Sequence, residues 1–403
     1  MTLGIVKERK NPPDRRVVFS PAELVKLKND FPQLNILVES SDVRVFTDDD
    51  YLEKGFEIVS DLSTCDVIVG VKEIPTDALI PNKQYFFFSH TIKKQPYNKK
   101  LLQAILEKNI SLYDHETLVD KQLTRLVGFG RYAGIVGVYN TFRAFGQTYE
   151  LFDLAKAETL GTQTDLINRL KRLILPPIKV VLTGKGKVGM GAKEMLDGMK
   201  MKEVSSQDFL TKTYDQAVYT QIDVLDYNKR KDGQLLDKKD FFQNPSDYVS
   251  DFEKYTKVSD IFIAGHFYGN QSPFILTQEM LANTQNKIKI VGDVSCDVGG
   301  PVACTLRAST IANPFYGYHP KTGEEVSFLH PEAIVVMAVD NLPCELPRDA
   351  SEGFGITFRE KIIPAFFNND KEGVLERACI TSNGKLTARF SYLSDYVKDE
   401  FQV

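Results

Sequence analysis

Short runs of apolar, β-branched residues alternate with helix-length segments along much of the chain. In the first third the runs are Leu3–Val6, Asn35–Val38, Asp66–Val71, Tyr85–Phe88 and Ile110–Tyr113. Helical patterns such as Pro21–Lys28 and Lys99–Lys108 lie between them. In the second of these, Leu101, Leu102, Ile105 and Leu106 fall on one face. Strand and helix repeated in this way predict a parallel sheet with helices on both faces. Tyr132, Ile135, Val136, Tyr139, Phe142, Phe145, Tyr149 and Phe152 recur at spacings of three and four and predict one long amphipathic helix. A second helix around Asp165–Ile174 stops at Pro176-Pro177. A new α/β series then opens, with runs at Ile178–Thr183, Met201–Val204, Ile261–Ala264, Ile288–Val294 and Ala333–Val339. Residues 205–259 form a polar, Lys/Asp-rich stretch that reads as an insertion, and the C-terminal stretch is helical again in pattern.

Composition narrows the class. The 403 residues make two to three domains at roughly 150 residues each. A hydrophobic content of 42% and a charged content of 26% support sizeable cores and exclude a mainly disordered chain. The net charge of −4 provides no global basic field for nucleic acid. No stretch approaches the roughly 18 apolar residues of a membrane span. The N-terminal residues turn charged at Lys7-Glu8-Arg9-Lys10, before any signal-peptide core forms. Five scattered cysteines with no C-x-x-C suggest neither a metal site nor a disulfide framework, and a cytoplasmic location is expected.

The second series carries a distinctive motif. Ile178–Thr183 leads into Gly184-Lys185-Gly186-Lys187-Val188-Gly189, and a helix is expected from about Met190. This is G-x-G-x-x-G after a strand and before a helix, the context that dinucleotide binding requires. Gly184 permits the tight turn, Gly186 lets backbone approach a pyrophosphate, and Gly189 allows close helix–strand packing. The helix N-terminus adds free N–H groups and a positive dipole end, and Lys185 and Lys187 add charge. An acid for the ribose belongs about 20 residues on. Lys202-Glu203-Val204-Ser205-Ser206 stands there. With Ser205 at the strand tip the cofactor leans toward NADP, and with Glu203 as the acid it is NAD.

Ligands of open parallel sheets bind outside the carboxyl ends of the strands. In the first domain those ends offer Lys72-Glu73, Ser89-His90-Thr91, Lys7-Glu8-Arg9 with Asp14-Arg15-Arg16 beyond, and Asp114-His115. Arginine binds carboxylates bidentately, and a lysine and a histidine can exchange protons near neutral pH. Lys72 is equally readable as a solvated strand end and His90 as a structural histidine. Lys7, Arg9, Arg15 and His115 read as surface charge, and His266 and Cys296 as packing residues.

Several strings together resemble the alanine dehydrogenase superfamily and, within it, the lysine-forming saccharopine dehydrogenases. They are Gly4-Ile5-Val6-Lys7-Glu8 with Arg15-Arg16-Val17, Val71-Lys72-Glu73, Phe88-Ser89-His90 and Gly128-Phe129-Gly130-Arg131-Tyr132-Ala133-Gly134. Asp293-Val294-Ser295-Cys296-Asp297, Asp340-Asn341-Leu342-Pro343 and Leu346-Pro347-Arg348-Asp349-Ala350-Ser351 complete the set. Pro245–Phe252 and Ile380–Leu386 are similar to the reductase half of bifunctional lysine-degrading enzymes. The resemblance implies two Rossmann-like, doubly wound parallel-sheet domains with a cleft between them. The first would be discontinuous, residues 1–130 and 341–403, and would take the substrate. Residues 131–340 would bind NAD or NADP. It implies Lys72 and His90 as an acid/base pair, Arg16 on a substrate carboxylate, and Asp297 beside the nicotinamide. The implied reaction joins lysine and 2-oxoglutarate reductively, with small-molecule substrates and no nucleic acid or membrane partner. Alanine dehydrogenase chemistry and a non-catalytic dinucleotide-binding protein are the alternatives, and the oligomeric state is open.

Overall fold

The computed structural model describes residues 1–269 and 271–398. The chain divides into two compact units. One comprises Met1–Phe129 and the chain from Pro347 on, the other Gly130–Leu346. Each is an α/β layer structure built on its own sheet, as the alternating apolar runs predict.

The first unit holds six strands, β1 (Thr2–Ile5), β2 (Asn35–Glu39), β3 (Glu57–Val59), β4 (Val67–Lys72), β5 (Gln84–Phe88) and β6 (Ser111–Asp114). Their order is β3-β2-β1-β4-β5-β6, and every pairing is parallel. This is a doubly wound order whose direction reverses between β1 and β4, so the ligand crevice is expected outside the carboxyl ends of those two strands. Leu3, Ile5, Ile68 and Val69 are fully buried, as strands covered on both faces must be. The edge strand β3 was not legible in the sequence, because its three residues are too few to show an alternation.

In the second unit the strands are β7 (Lys179–Thr183), β8 (Lys202–Glu203), β9 (Val218–Ile222), β10 (Asn228–Arg230), β11 (Tyr248–Ser250), β12 (Ile261–Ala264), β13 (Ile290–Asp293), β14 (Phe315–Tyr318), β15 (Glu325–Val326) and β16 (Ile334–Met337). Eight of them form one sheet in the order β15-β14-β16-β13-β12-β7-β9-β8. Six run parallel, while β14 is antiparallel to both β16 and β15, so the sheet is mixed at one edge. Here the reversal falls between β7 and β12.

Two expectations need correction. The stretch 205–259 is not simply a polar insertion. It supplies β9, which pairs with β7 along Val218–Ile222, and it places Phe209, Phe241, Tyr248, Phe252 and Tyr255 in the core. Its apolar residues are diluted among Lys and Asp, which hides them in a composition reading. The long helix is also shorter and less amphipathic than its spacing implied. It spans Gly130–Thr148, and 14 of its 19 residues are buried. The chain reverses beyond it at Glu150 (φ 53°) and folds Phe152 back onto Gly146, where a Cβ would lie 2.4 Å from the ring. The polar side of this helix is lined instead by glycines at close crossings. A Cβ at Gly134 would meet the Val188 carbonyl at 2.0 Å, and one at Gly191 the Arg131 carbonyl at 2.0 Å. The bidentate pair from Arg131 Nε and Nη2 to Glu194 (2.8 and 2.6 Å) ties the same two helices. No helix among the described residues is long and apolar enough to cross a membrane.

Candidate active site

In the first unit the reversal of strand order puts the end of β4 beside the end of β1. Lys72 is the last residue of β4 and is half-buried. Its backbone N–H donates to Glu8 Oε2 (2.9 Å), and Val71 N–H donates to Glu8 Oε1 (2.6 Å). Glu8 is itself buried, and that burial pushes its carboxyl up to about 8. Arg16 is 2% exposed and gripped by Asp14, with Nε to Oδ1 at 3.0 Å and Nη2 to Oδ2 at 2.6 Å. Its guanidinium lies 4.2 Å over the Phe129 ring. Burial would raise Asp14, but Arg16 and then Lys72 hold it below its ordinary value.

His90 follows β5 in a left-handed backbone conformation (φ 55°, ψ 11°). The buried Asp114 carboxylate holds that turn by accepting from both Ser89 N (2.9 Å) and His90 N (3.1 Å). His90 Nδ1 lies 3.8 Å from Glu116 Oε1, which also meets Lys93 at 3.1 Å and Arg125 at 3.4 Å. Burial lowers the imidazole pKa below its ordinary 6.5 and Lys72 lowers it further, while Glu116 opposes both. The structure therefore brings Lys72, His90 and Arg16 into one electrostatic cluster, with Glu8 and Asp14, which the sequence reading placed at the strand ends without a role, and Glu116, which it missed. The strand-end rule would have reached Glu116 had the reading of β6 gone one residue past His115. His115 itself is corrected. It is fully buried, not surface charge, and burial lowers it to about 4.

In the second unit the glycine loop follows β7. Gly184 has φ +93°, and a Cβ there would lie 2.5 Å from the Gly265 carbonyl. A Cβ on Gly189 would strike the Gly184 carbonyl at 2.0 Å, whereas one on Gly186 would meet nothing within 4 Å. The loop is closed by Gly184 N–H to Ile222 O (2.9 Å) and Gln221 Nε2 to Gly184 O (2.8 Å). The helix begins at Lys187, earlier than expected, with Gly186 as its N-cap. Lys187 is exposed in its first turn, and Val188 packs on the Gly130–Thr148 helix. The open space at Gly186 next to a helix N-terminus fits a pyrophosphate.

The strand that carries Glu203 and leads to Ser205, β8, lies at the edge of the sheet and not beside β7. Ser205 follows the edge strand β8, and its hydroxyl caps the Ser206–Thr211 helix by accepting from Asp208 N (3.1 Å). Glu203 is engaged by Lys193 at 2.5 Å. The strand beside β7 is β9, and the residue at its carboxyl end is Asp223. Burial would raise Asp223, but Lys238 Nζ on Oδ2 (2.5 Å), with Lys185 beyond, holds it below the ordinary carboxylate value. Asp297 is exposed in the loop after β13. Buried Asp293 shapes that loop, accepting from Ser295 N (3.1 Å), Cys296 N (3.1 Å) and Thr305 Oγ1 (2.6 Å). Cys296 donates to Ala338 O at 3.0 Å, and burial pushes its thiol up to about 12, so it is not a reactive thiol. His266 is buried under the glycine turn, with Nδ1 2.7 Å from Thr183 Oγ1, and burial lowers it to about 4.

Two Rossmann-like units, one with a dinucleotide fingerprint, define a class of nucleotide-dependent dehydrogenase folds. The alanine dehydrogenase/PNT N-terminal domain matches residues 4–136 and the corresponding C-terminal domain matches residues 171–389, so the chain belongs to the alanine dehydrogenase/PNT family. Among its relatives, the alpha-aminoadipic semialdehyde synthase of Arabidopsis thaliana is 28% identical over 97% of this chain and 41% of its own length. The mitochondrial synthase of Bos taurus is 26% identical over 97% of this chain and 47% of its own. The chain thus spans less than half of these longer proteins. The NAD(+), L-lysine-forming saccharopine dehydrogenase of Yarrowia lipolytica is 25% identical, with 88% of each chain covered. An L-alanine dehydrogenase structure superposes with a TM-score of 0.63 at 15% identity, covering 99% of this chain and 100% of that one. That likeness carries the fold.

Proposed function

We propose that this chain is an NAD(P)-dependent oxidoreductase that reversibly condenses L-lysine with 2-oxoglutarate to form saccharopine. The observation that carries the reading is the cluster of Lys72, His90 and Arg16 at the carboxyl ends of β4, β5 and the loop after β1, where the strand order reverses. The match to the Yarrowia dehydrogenase over 88% of each chain supports the choice of substrates. In this reading His90 is neutral at pH 7 because burial and Lys72 disfavour its charged form. It takes a proton from the substrate amine as that amine attacks the keto carbon and returns it to the oxyanion, which gives the carbinolamine. Lys72, as an ammonium, donates one as the carbinolamine loses water. Arg16, oriented by Asp14 and stacked on Phe129, binds a substrate carboxylate.

Gly184, Gly186 and Gly189 would hold the dinucleotide pyrophosphate and Asp223 the ribose hydroxyls, with Asp297 near the nicotinamide. Bound cofactor supplies the hydride that reduces the C=N bond. Asp223 at the ribose position favours NAD, and the two lysines beside it soften the exclusion of NADP. A cytoplasmic location, inferred from the cysteine pattern, belongs to the same reading. The test is oxidation of NADH and of NADPH with lysine plus 2-oxoglutarate against pyruvate plus ammonia. Turnover with the first pair is expected. Turnover with the second pair alone would make the protein an alanine dehydrogenase, and cofactor binding without turnover on either would exclude catalysis of both reactions.

A further inference from the structure

The register of β4 against β5 contains an extra residue. Val69 pairs with Phe86 and Lys72 with Phe88, so Gly70 and Val71 together oppose Phe87 alone. This is a β-bulge directly before Lys72. Side chains alternate with a period of two along a strand, so one inserted residue exchanges the faces for everything after it. Without the bulge, position 72 would project from the opposite face of the sheet. A bulge also frees backbone groups, which burial makes expensive unless they are partnered. On one side, Val71 and Lys72 N–H both donate to the Glu8 carboxyl (2.6 and 2.9 Å). On the other, the Gly70 carbonyl accepts from His115 Nε2 at 2.8 Å. A Cβ at Gly70 would lie 2.7 Å from Val6 Cγ1 and 3.4 Å from Glu8 Oε1, so the site has room only for glycine.

Among the described residues, the bond to Gly70 is the one side-chain hydrogen bond that His115 makes. It is 0% exposed, wedged among Phe88, Phe354 and Phe358, and its Nδ1 has no hydrogen-bond partner. An imidazole in an aromatic pocket costs more than a phenyl ring unless its one hydrogen bond matters.

We propose that Glu8 and His115 are positioning residues that clamp the Gly70–Val71 bulge from its two sides and so set the face and direction of Lys72. The inference rests on the reading of Lys72 as a proton-transfer group. Burial keeps His115 neutral, which leaves Nε2 as a steady donor across the working pH range.

The test compares His115→Phe, which keeps the ring and removes the donor, with His115→Gln, whose amide reaches the same carbonyl, and with Lys72→Met. His115→Phe is expected to lower kcat at least tenfold, to leave the KM for NADH within twofold, and to shift the basic limb of the kcat–pH profile. His115→Gln is expected to recover most of the rate and the profile. A folded His115→Phe enzyme with native kcat and pH profile, beside an inactive Lys72→Met, overturns the clamp alone. Near-native turnover of Lys72→Met overturns the clamp together with the role of Lys72. If His115→Phe does not fold, Glu8→Gln replaces it, since it keeps the shape and one acceptor oxygen. An unchanged profile in Glu8→Gln overturns the proposal equally.

Discussion

At the scale of single residues, the cluster around Lys72 works by mutual adjustment of charge. His90 sits between two opposing influences, since burial and Lys72 push its pKa down and Glu116 pushes it up. Replacing Glu116 by Gln removes the upward influence, so the imidazole pKa must fall further. The acidic limb of the kcat/KM–pH profile is therefore expected to move to lower pH in Glu116→Gln. A limb that stays in place would show that Glu116 does not act on the group being titrated. The Arg16–Asp14 pair has a different character. Both partners are 2% exposed, and removing one leaves an uncompensated buried charge. The pair thus explains how a buried guanidinium is held in place, with Asp14 under the influence of both Arg16 and Lys72, although only the arginine was singled out in the sequence.

Among elements, the exchange of β8 and β9 has the largest functional consequence. In a 3-2-1-4-5-6 sheet the strand after the fingerprint helix lies beside the first strand, and its tip supplies the ribose acid. Here that strand is two residues long and exposed at the edge, while β9 takes the inner place and presents Asp223. Asp223→Ser is expected to weaken NADH by about tenfold and to raise the relative use of NADPH, whereas Ser205→Ala leaves cofactor preference unchanged. Steady-state KM values for both nucleotides check this. The opposite ranking would return the ribose to β8. The glycine crossing between the Gly130–Thr148 and Lys187–Gly198 helices is the second element-scale device. A side chain at Gly134 has no space, since its Cβ would meet Val188 O at 2.0 Å. Gly134→Val is expected to cost about 1–3 kcal/mol or more, as overpacking does. Because the displaced helix carries the fingerprint, cofactor affinity should fall with it. Denaturant unfolding and nucleotide titration of the same variant measure the two effects.

For the molecule as a whole, buried titratable groups make stability depend on pH in both directions. His115 and His266 are lowered to about 4, so the stability they support is present above pH 6.5 and is lost as pH falls toward 4. Glu8 and Glu345 are raised to about 8 and about 7, so their contribution is present at low pH and is lost as pH rises through those values. Replacing His266 by Gln removes one histidine term. The difference in thermal midpoint between wild type and His266→Gln should therefore narrow from pH 7 to pH 4.5, and a constant difference would remove His266 from the acid response. Much of this molecule is written locally in the chain. Alternating apolar runs specify the strands, and Gly184, Gly186 and Gly189 specify the phosphate turn through their missing side chains. Polar residues one step past a strand, such as Lys72 and His90, mark the ligand edge. These features depend on neighbours within a few positions, so periodicity and spacing record them. The order of strands in a sheet does not, because pairing is a long-range choice among apolar runs that look alike. The tertiary structure alone decided that β9 lies beside β7, that Gly70–Val71 bulges, and that Glu8, His115 and Glu116 meet the residues they serve.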